Sequence, residues 1–299
     1  MLGFVNLNKS AGMTSHDCVA KVRRLLKLRR VGHGGTLDPA ATGVLPIAVG
    51  RATRLLQFLP ENKAYEALIR LGVRTTTDDL EGEVIASQSA KELTVEKVSS
   101  LLSKFEGIIQ QVPPAYSAIK QGGKKLYELA RAGEEVTVPS RKVRVSKIEV
   151  LAWDGGEYPE IRVAIACGPG TYIRAIARDL GAELGVGGTL AALTRTESCG
   201  MKLNNSLTLE QIDSDWQQNQ FSLLAPDLAL QHLTAVSLTN EDSFRWGNGQ
   251  RIETVTREQL PSKDTKVRVY REDGQFLGIG AIDDSADNWL LIPKVVLFV

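Results

Sequence analysis

Arg30-Val31-Gly32-His33-Gly34-Gly35-Thr36-Leu37-Asp38-Pro39-Ala40-Ala41-Thr42-Gly43-Val44-Leu45-Pro46-Ile47 is the stretch from which the rest of the chain can be read. Four glycines and Pro39 between Val31 and Gly43 predict a loop. Glycine at this density either lets the backbone approach a ligand closely or makes a tight turn. No Gly-Lys-Ser/Thr follows, so this is not a Walker loop, and no GxGxxG fingerprint is present, so the nucleotide-cofactor readings fail. Asp38 precedes Pro39, which biases it to an extended backbone and holds its side chain off any helix. A carboxylate on such a loop is a turn former, an N-cap or a group presented to a ligand. On residue type alone the turn or cap is favoured.

Upstream of this loop, Phe4–Asn8 reads as a short strand ended by Lys9-Ser10-Ala11-Gly12. Thr14 or Ser15 can cap a helix with apolar positions Val19, Val22, Leu25 and Leu26. The same stretch carries Lys21, Arg23, Arg24, Lys27, Arg29 and Arg30, six basic residues in ten positions with no acid among them. A solvated face is the plain reading of such a run; the lack of acids points to phosphate binding.

Downstream, strands are expected at Leu45–Val49 and Tyr65–Leu71, and helical spacing runs through Val95, Val98, Leu101, Leu102 and Phe105. Residues 112–138, with Pro113-Pro114 and interleaved glycines, tyrosines and lysines, read as a loop-and-helix insertion. Ile161, Val163, Ile165 and Cys167 alternate as a half-buried strand does, and Ile173, Ile176, Leu180 and Leu184 mark an amphipathic helix ending near Gly185. From Lys202 to about Gln231 the composition turns polar and reads as a junction, apart from a helix signal where Thr208 and Gln211 have capping-box spacing. Short strands at Val267–Val269, Phe276–Ile279, Leu290–Ile292 and Val295–Phe298 give a small β-rich C-terminal domain. The expected division is residues 1–231 and 232–299, and a chain ending near Gln231 is expected to fold alone.

Composition narrows the function classes. The 299 residues, 43% hydrophobic, can bury a full core. With 36 Lys and Arg against 35 Asp and Glu, the net charge of +1 does not announce a nucleic-acid partner; only local clustering can. Cys18, Cys167 and Cys199 are widely spaced and form no CxxC pair, so neither a disulfide framework nor a zinc site is indicated. No apolar run approaches the roughly 20 residues needed to span a bilayer, and the first residues carry no export signal. Cytoplasmic is the expectation. Asp78, Asp79, Glu81 and Glu83 are not spaced as an EF-hand loop and read as a turn between strands.

The string from Arg30 to Ile47 resembles the signature motif of the TruB family of tRNA pseudouridine synthases. Further blocks resemble the family in the same order: Lys63-Ala64-Tyr65 with Arg70-Leu71-Gly72 and Thr75–Gly82, then Pro113–Lys120 with Leu126–Gly133 as a thumb-like insertion, then Gly170–Arg174 with Arg178–Gly181. The matches run from Lys9 to Gly200, about two-thirds of the chain. Several blocks in family order are far more specific than one glycine loop.

The resemblance implies an α+β catalytic domain, with a mixed and mainly antiparallel central sheet, flanking helices and a central cleft. It also implies a small β-rich, PUA-like C-terminal domain, loosely through Gly247–Gln250 and Leu290–Lys294. The implied reaction is isomerisation of the uridine at position 55 in the T-loop of tRNA, without cofactor or metal. Asp38 then aligns with the nucleophile, Arg174 with its partner and Tyr65 with the tyrosine against the uracil, its hydroxyl available for proton transfer. Because the target lies in a folded loop, it must be flipped out. His33 aligns with a loop-RNA contact and Leu193 with a pocket-lining leucine; Tyr172 and Lys9 complete the substrate-binding set. Expected partners are the tRNA T-arm stem-loop alone, with no membrane and no second protein, the chain acting as a monomer. Rivals are a tRNA-folding chaperone, a guide-RNA-dependent synthase for ribosomal RNA, and a retaining glycosidase, which needs a second catalytic carboxylate. Two positions depart from the family pattern: Ser10 stands where a proline is usual, and Thr194 where an arginine is usual.

Overall fold

The computed structural model describes residues 1–117, 138–253, 265–283 and 289–297, together with the backbone of 120–121 and 124–125. β1 (Gly3–Lys9), helix α1 (Ser15–Leu25), β2 (Val31–His33) and β3 (Thr42–Val49) open the chain. β3 is almost wholly buried, as a strand covered on both faces must be. β4 (Lys63–Leu71) buries alternate residues from Tyr65 to Leu71, the period-two pattern of a strand with one face inward. A short hairpin follows, β5 (Val73–Thr75) with β6 (Val84–Ser87), then helix α2 (Val95–Leu102) and β7 (Gly107–Gln111).

Of the expected insertion at 112–138, residues 112–117 are described, and β8 (Lys120–Gln121) pairs with β9 (Lys124–Lys125). The Leu126–Gly133 part of the thumb-like reading lies outside the described residues. The chain continues through β10 (Arg141–Asp154), β11 (Glu160–Cys167), helix α3 (Ile173–Glu183), β12 (Gly188–Ser198) and β13 (Met201–Lys202). Helix α4 (Leu209–Gln217) follows, started by the expected capping box of Thr208 and Gln211.

These strands form a nine-stranded sheet in the order β1-β3-β12-β4-β11-β10-β7, with β2 on β3 and β13 on β12. It is mixed and mainly antiparallel; the parallel step is β3 to β12, where Thr42 faces Thr194 and Gly43 faces Arg195. Helices α2 and α3 cover one face through Val98, Leu102, Ile173, Ile176 and Leu180. Helix α1 brings Cys18, Val19 and Val22 against β1 and β3 elsewhere on the sheet.

A second, five-stranded sheet is built from β14 (Thr234–Leu238), β15 (Ile252–Glu253), β16 (Lys266–Arg271), β17 (Phe276–Asp283) and β18 (Leu290–Val296), with helix α5 (Asn240–Gly247) against it.

Three local readings change. Val31–His33 is not loop but strand β2, paired with β3 from Val31↔Val49 to His33↔Ile47; glycine is tolerated there because the neighbouring backbone supplies the hydrogen bonds. The expected break between Leu290–Ile292 and Val295–Phe298 is absent, because a register irregularity beside Pro293 lets β18 run through. The polar stretch from Lys202 to Gln231 is packed rather than free. Its sparse apolar residues Leu207, Ile212, Trp216, Phe221 and Leu223 join the α1 core, and Leu224 exchanges backbone hydrogen bonds with Phe4.

One apolar cluster spans both sheets. Phe276, Ile279, Val295 and Leu297 pack with Phe4, Val44, Ala48, Ala52 and Leu55, and the Arg51 and Arg54 guanidinium groups donate to the carbonyls of Leu297 and Val296. This shared core generates a test. Leu297→Ala should cost about 2–5 kcal/mol in urea denaturation, and unfolding followed in either sheet should give one coincident transition. A chain ending at Gln231 should be insoluble, its apolar face uncovered. Independent unfolding of the two sheets would contradict the shared core.

Candidate active site

Four residues hold the loop that carries Asp38. Ser15, the first residue of α1, accepts from the Leu37 amide (2.9 Å) and donates to the Leu37 carbonyl (3.0 Å) through one buried hydroxyl. The capping box of Thr14 and Asp17 fixes where α1 begins and hence where that hydroxyl lies. The Gly12 amide and the Lys9 ammonium both donate to the Pro39 carbonyl at 2.9 Å. Arg195 donates to the carbonyls of Val44 (2.7 Å), Thr36 (3.1 Å) and Gly35 (3.2 Å). Lys9 and Arg195 are both buried. Gly43 has φ of +99°, and a Cβ there would lie 2.3 Å from the Arg195 carbonyl oxygen, so glycine is required.

On this support the Asp38 side chain remains 41% exposed, at a cleft of about 980 Å³. Arg174 projects from the first turn of α3 and is 7% exposed. Its Nη2 meets Asp38 Oδ2 at 3.1 Å and the Tyr116 carbonyl at 3.0 Å. Its Nη1 meets Asp79 Oδ2 at 3.3 Å and the Thr77 carbonyl at 3.1 Å. A cation in the first turn of a helix opposes the helix dipole, and the two carboxylates offset that cost. One turn on, Arg178 pairs with Asp78 at 3.0 Å and donates to the Val112 carbonyl at 2.8 Å. The acidic turn between β5 and β6 is thereby tied to α3.

The cleft gathers Asp38, Tyr65, Arg174, Tyr172 and Leu193 among its lining residues. Tyr65 is buried on β4, and burial pushes its phenol up to about 12, so the hydroxyl keeps its proton at neutral pH; the Arg195 guanidinium nearby acts the other way. Tyr172 caps α3, and Gln111 clamps its backbone by donating to its carbonyl (3.1 Å) and accepting from its amide (2.8 Å). The Arg141 guanidinium lies 4.9 Å from the Tyr172 ring centre.

Two residues expected to contact substrate do not line the cleft. The Lys9 ammonium is spent on the Ser10 and Pro39 carbonyls behind the loop. His33 is half-buried with its ring 5.4 Å from that of His16, edge to face, and it is His16 that lines the cleft. Burial, then His16, pushes the His33 imidazole below its usual range. Sequence reasoning gave no role to Gln111 or Arg195, offered Ser15 only as a candidate helix cap and placed Asp79 only in a turn. The legible signal was the pairing of Asp78-Asp79 with Arg174 and Arg178, four apart on one helix face.

The N-terminal domain model of the TruB family pseudouridylate synthases matches residues 23–173, and the C-terminal model of pseudouridine synthase II TruB matches 234–297. A tRNA pseudouridine synthase B of Gloeothece citriformis (strain PCC 7424) is 60% identical over 303 residues, 99% of this chain and 97% of that protein. A protein of the same name from Trichormus variabilis (strain ATCC 29413 / PCC 7937) is 55% identical over 297 residues, 99% and 98% of the two chains. A solved chain of a Cbf5-Nop10-Gar1 complex superposes with TM-score 0.74 at 25% identity, over 98% of this chain and 84% of that one. One from an H/ACA RNP bound to a substrate RNA containing 2'-deoxyuridine gives 0.73 at 24%, over 99% and 85%; this likeness is one of fold.

The clamp on Leu37 is testable by stability alone. Ser15→Ala leaves a buried amide and carbonyl unpaired and should cost about 1–3 kcal/mol in urea denaturation. A change within experimental error would mean that the loop does not depend on this hydroxyl.

Proposed function

The chain belongs to the TruB family of pseudouridylate synthases and is a tRNA pseudouridine synthase, an isomerase; within that activity we propose that its target is the uridine at position 55 of the T-loop and that Asp38 is the nucleophile. The observation that carries this is the Asp38–Arg174 pair: a half-exposed carboxylate on a clamped loop, fixed through Oδ2 by a buried guanidinium at the edge of a nucleotide-sized cleft. Arg174 orients one carboxylate oxygen and leaves Oδ1 without a protein hydrogen bond among the described residues.

In the reaction the bond between N1 of uracil and C1' of ribose breaks, the base turns, and C5 is joined to C1'. A proton leaves C5 and one is gained at N1, so nothing is oxidised and no group is lost. Asp38 acts as nucleophile on the bound nucleotide. Tyr65, whose hydroxyl burial keeps protonated at neutral pH, is suited to hydrogen-bond the base and to take part in proton transfer. Leu193 and Tyr172 supply apolar wall to the pocket. Lys9 acts in this reading through the loop rather than on RNA, and His33 through His16.

Lys21, Arg23, Arg24, Lys27, Arg29 and Arg30 are all exposed, and none pairs with a carboxylate among the described residues. That is the surface offered to T-arm phosphates. Full-length relatives named for tRNA at 55–60% identity support a stand-alone enzyme over a guide-dependent one. No helix among the described residues is long and apolar enough to cross a membrane; cytoplasmic location, a monomeric state and an RNA-binding, PUA-like role for residues 232–299 belong to the same reading.

Asp38→Asn should abolish conversion of an unmodified tRNA transcript while leaving RNA affinity nearly unchanged; turnover above a tenth of normal would remove Asp38 as nucleophile. Tyr65→Phe should slow single turnover by about 100-fold. RNA affinity should fall with salt at about −0.9 per phosphate contact in the log–log slope. Replacing Arg23, Arg24, Lys27 and Arg30 with glutamine should flatten that slope, and an unchanged slope would mark the basic run as a solvated face.

A further inference from the structure

Two lysine or arginine side chains line the cleft among the described residues, and they differ in one respect. Arg174 is engaged by two carboxylates and two carbonyls. Lys63 has no hydrogen bond or ion pair among the described residues, although it is only half-exposed. We propose that the Lys63 ammonium contacts the base of the bound uridine and stabilises the negative charge the base carries once its bond to ribose has broken. The inference rests on the isomerase reading above and adds a residue to it.

The placement follows from the strand. Lys63 opens β4 and Tyr65 is the next residue but one, so both side chains leave the same face. Its stem lies along the catalytic loop: a Cβ on Gly35 would lie 3.7 Å from Lys63 Cε. The RNA chain, and with it every phosphate, must stay continuous outside the cleft, whereas the base is the terminal group that can enter. Asp38, 41% exposed, is the outer limit of the reacting position, and Tyr65, 8% exposed, is on the inner wall. A cation on the Tyr65 face therefore meets the base rather than a phosphate.

The chemistry supplies the anion. Whether Asp38 first engages the sugar or the base, heterolysis of the N1–C1' bond leaves the bonding pair on the base, spread over N1, O2 and O4. The pair that then forms the C5–C1' bond comes from the base, a proton leaves C5, and N1 is protonated. Lys63 keeps its own proton throughout and acts as a fixed positive charge, the kind of preorganised donor that stabilises charge as it develops. Tyr65 adds one neutral hydroxyl, and Arg195 is held behind the loop by three carbonyls and faces that hydroxyl, which leaves Lys63 as the cation in the cleft that has no protein partner among the described residues.

Around Lys63 are Arg195 and Cys199 from β12 and its end, Cys167 from β11 and Glu61 just before β4. Burial first, and then Arg195, lower the Lys63 pKa below the ordinary lysine range. Activity that needs the ammonium is therefore complete at low pH and is lost as pH rises through this lowered value.

The test compares single-turnover loss of the target nucleoside, at saturating enzyme, in tRNA transcripts carrying uridine or 5-fluorouridine. Fluorine makes the base a better leaving group and less dependent on stabilisation. Lys63→Met should lose about 100-fold or more on uridine, an order of magnitude less on 5-fluorouridine, with RNA affinity unchanged. Lys63→Arg should recover most of the rate and move the alkaline limb of the pH profile upward. Lys63→Gln carries the same comparison if the methionine variant fails to fold. Equal losses on both substrates, or wild-type rates, would overturn the proposal. So would weakened RNA binding with a normal saturating rate, which assigns Lys63 to a phosphate. Failure of the wild-type protein to convert uridine is a different result and would instead overturn the isomerase reading.

Discussion

A guanidinium with no carboxylate partner among the described residues lies under the Asp38 loop, and much of the molecule is arranged to tolerate it. Arg195 is fully buried and spends its charge on the carbonyls of Gly35, Thr36 and Val44. Moving such an ion out of water costs several kcal/mol before its new bonds are counted. Only a backbone that turns three carbonyls towards one point can offset that. The loop therefore has little freedom left: displacing any of those carbonyls strands a buried charge. The parallel contact of β3 with β12, Gly43 beside Arg195, brings the strand carrying the arginine close enough, and the missing side chain of Gly43 makes that approach possible.

The same loop is gripped from the opposite direction by groups close together in sequence. Lys9, Gly12 and Ser15, at the end of β1 and the start of α1, hold Pro39 and Leu37. Ser10 and Thr194, the two departures from the family pattern, fall beside these supports. The Ser10 carbonyl still takes a bond from Lys9, and the Thr194 hydroxyl bonds that of Thr42 at 2.9 Å. Both departures leave the support of the Asp38 loop in place.

Periodicity made β4, β11, α3 and the start of α4 readable, because each has an apolar face of the right period and a clear cap or break. It gave no role to β12, where Thr194, Arg195, Thr196 and Glu197 look like a polar surface. Arg195 defeats the usual reading because its partners are backbone carbonyls, which leave no mark in composition. The same holds for Lys9: the resemblance placed it in the substrate-binding set, whereas its bonds to the Ser10 and Pro39 carbonyls make it a fastener behind the loop. Asp38, Tyr65, Arg174, Tyr172 and Leu193 were legible only through resemblance, since each has an ordinary structural role on residue type alone. The cluster joining the two sheets escaped because its members, from Phe4 to Leu297, are spread over nearly the whole chain.

A near-neutral protein that acts on RNA must separate its charges, and the first 43 residues do this along one element. The C-terminal half of α1 and the turn beyond it expose basic residues, while the first residue of α1 fixes the loop of the proposed nucleophile. The proposed phosphate contact and the presentation of Asp38 are therefore mechanically linked through a single helix packed on β1 and β3 by Cys18, Val19 and Val22. Two carboxylates of the cleft, Asp38 and Asp79, share Arg174, and the cations behind the loop offset part of their field. A uridine reaching the cleft thus meets a site whose donors and acceptors are already in place, and the conformational work of extrusion falls on the RNA loop. That division of labour favours a substrate whose target base is held by a small folded loop over one deep in a continuous duplex, where stacking on both sides would have to be broken.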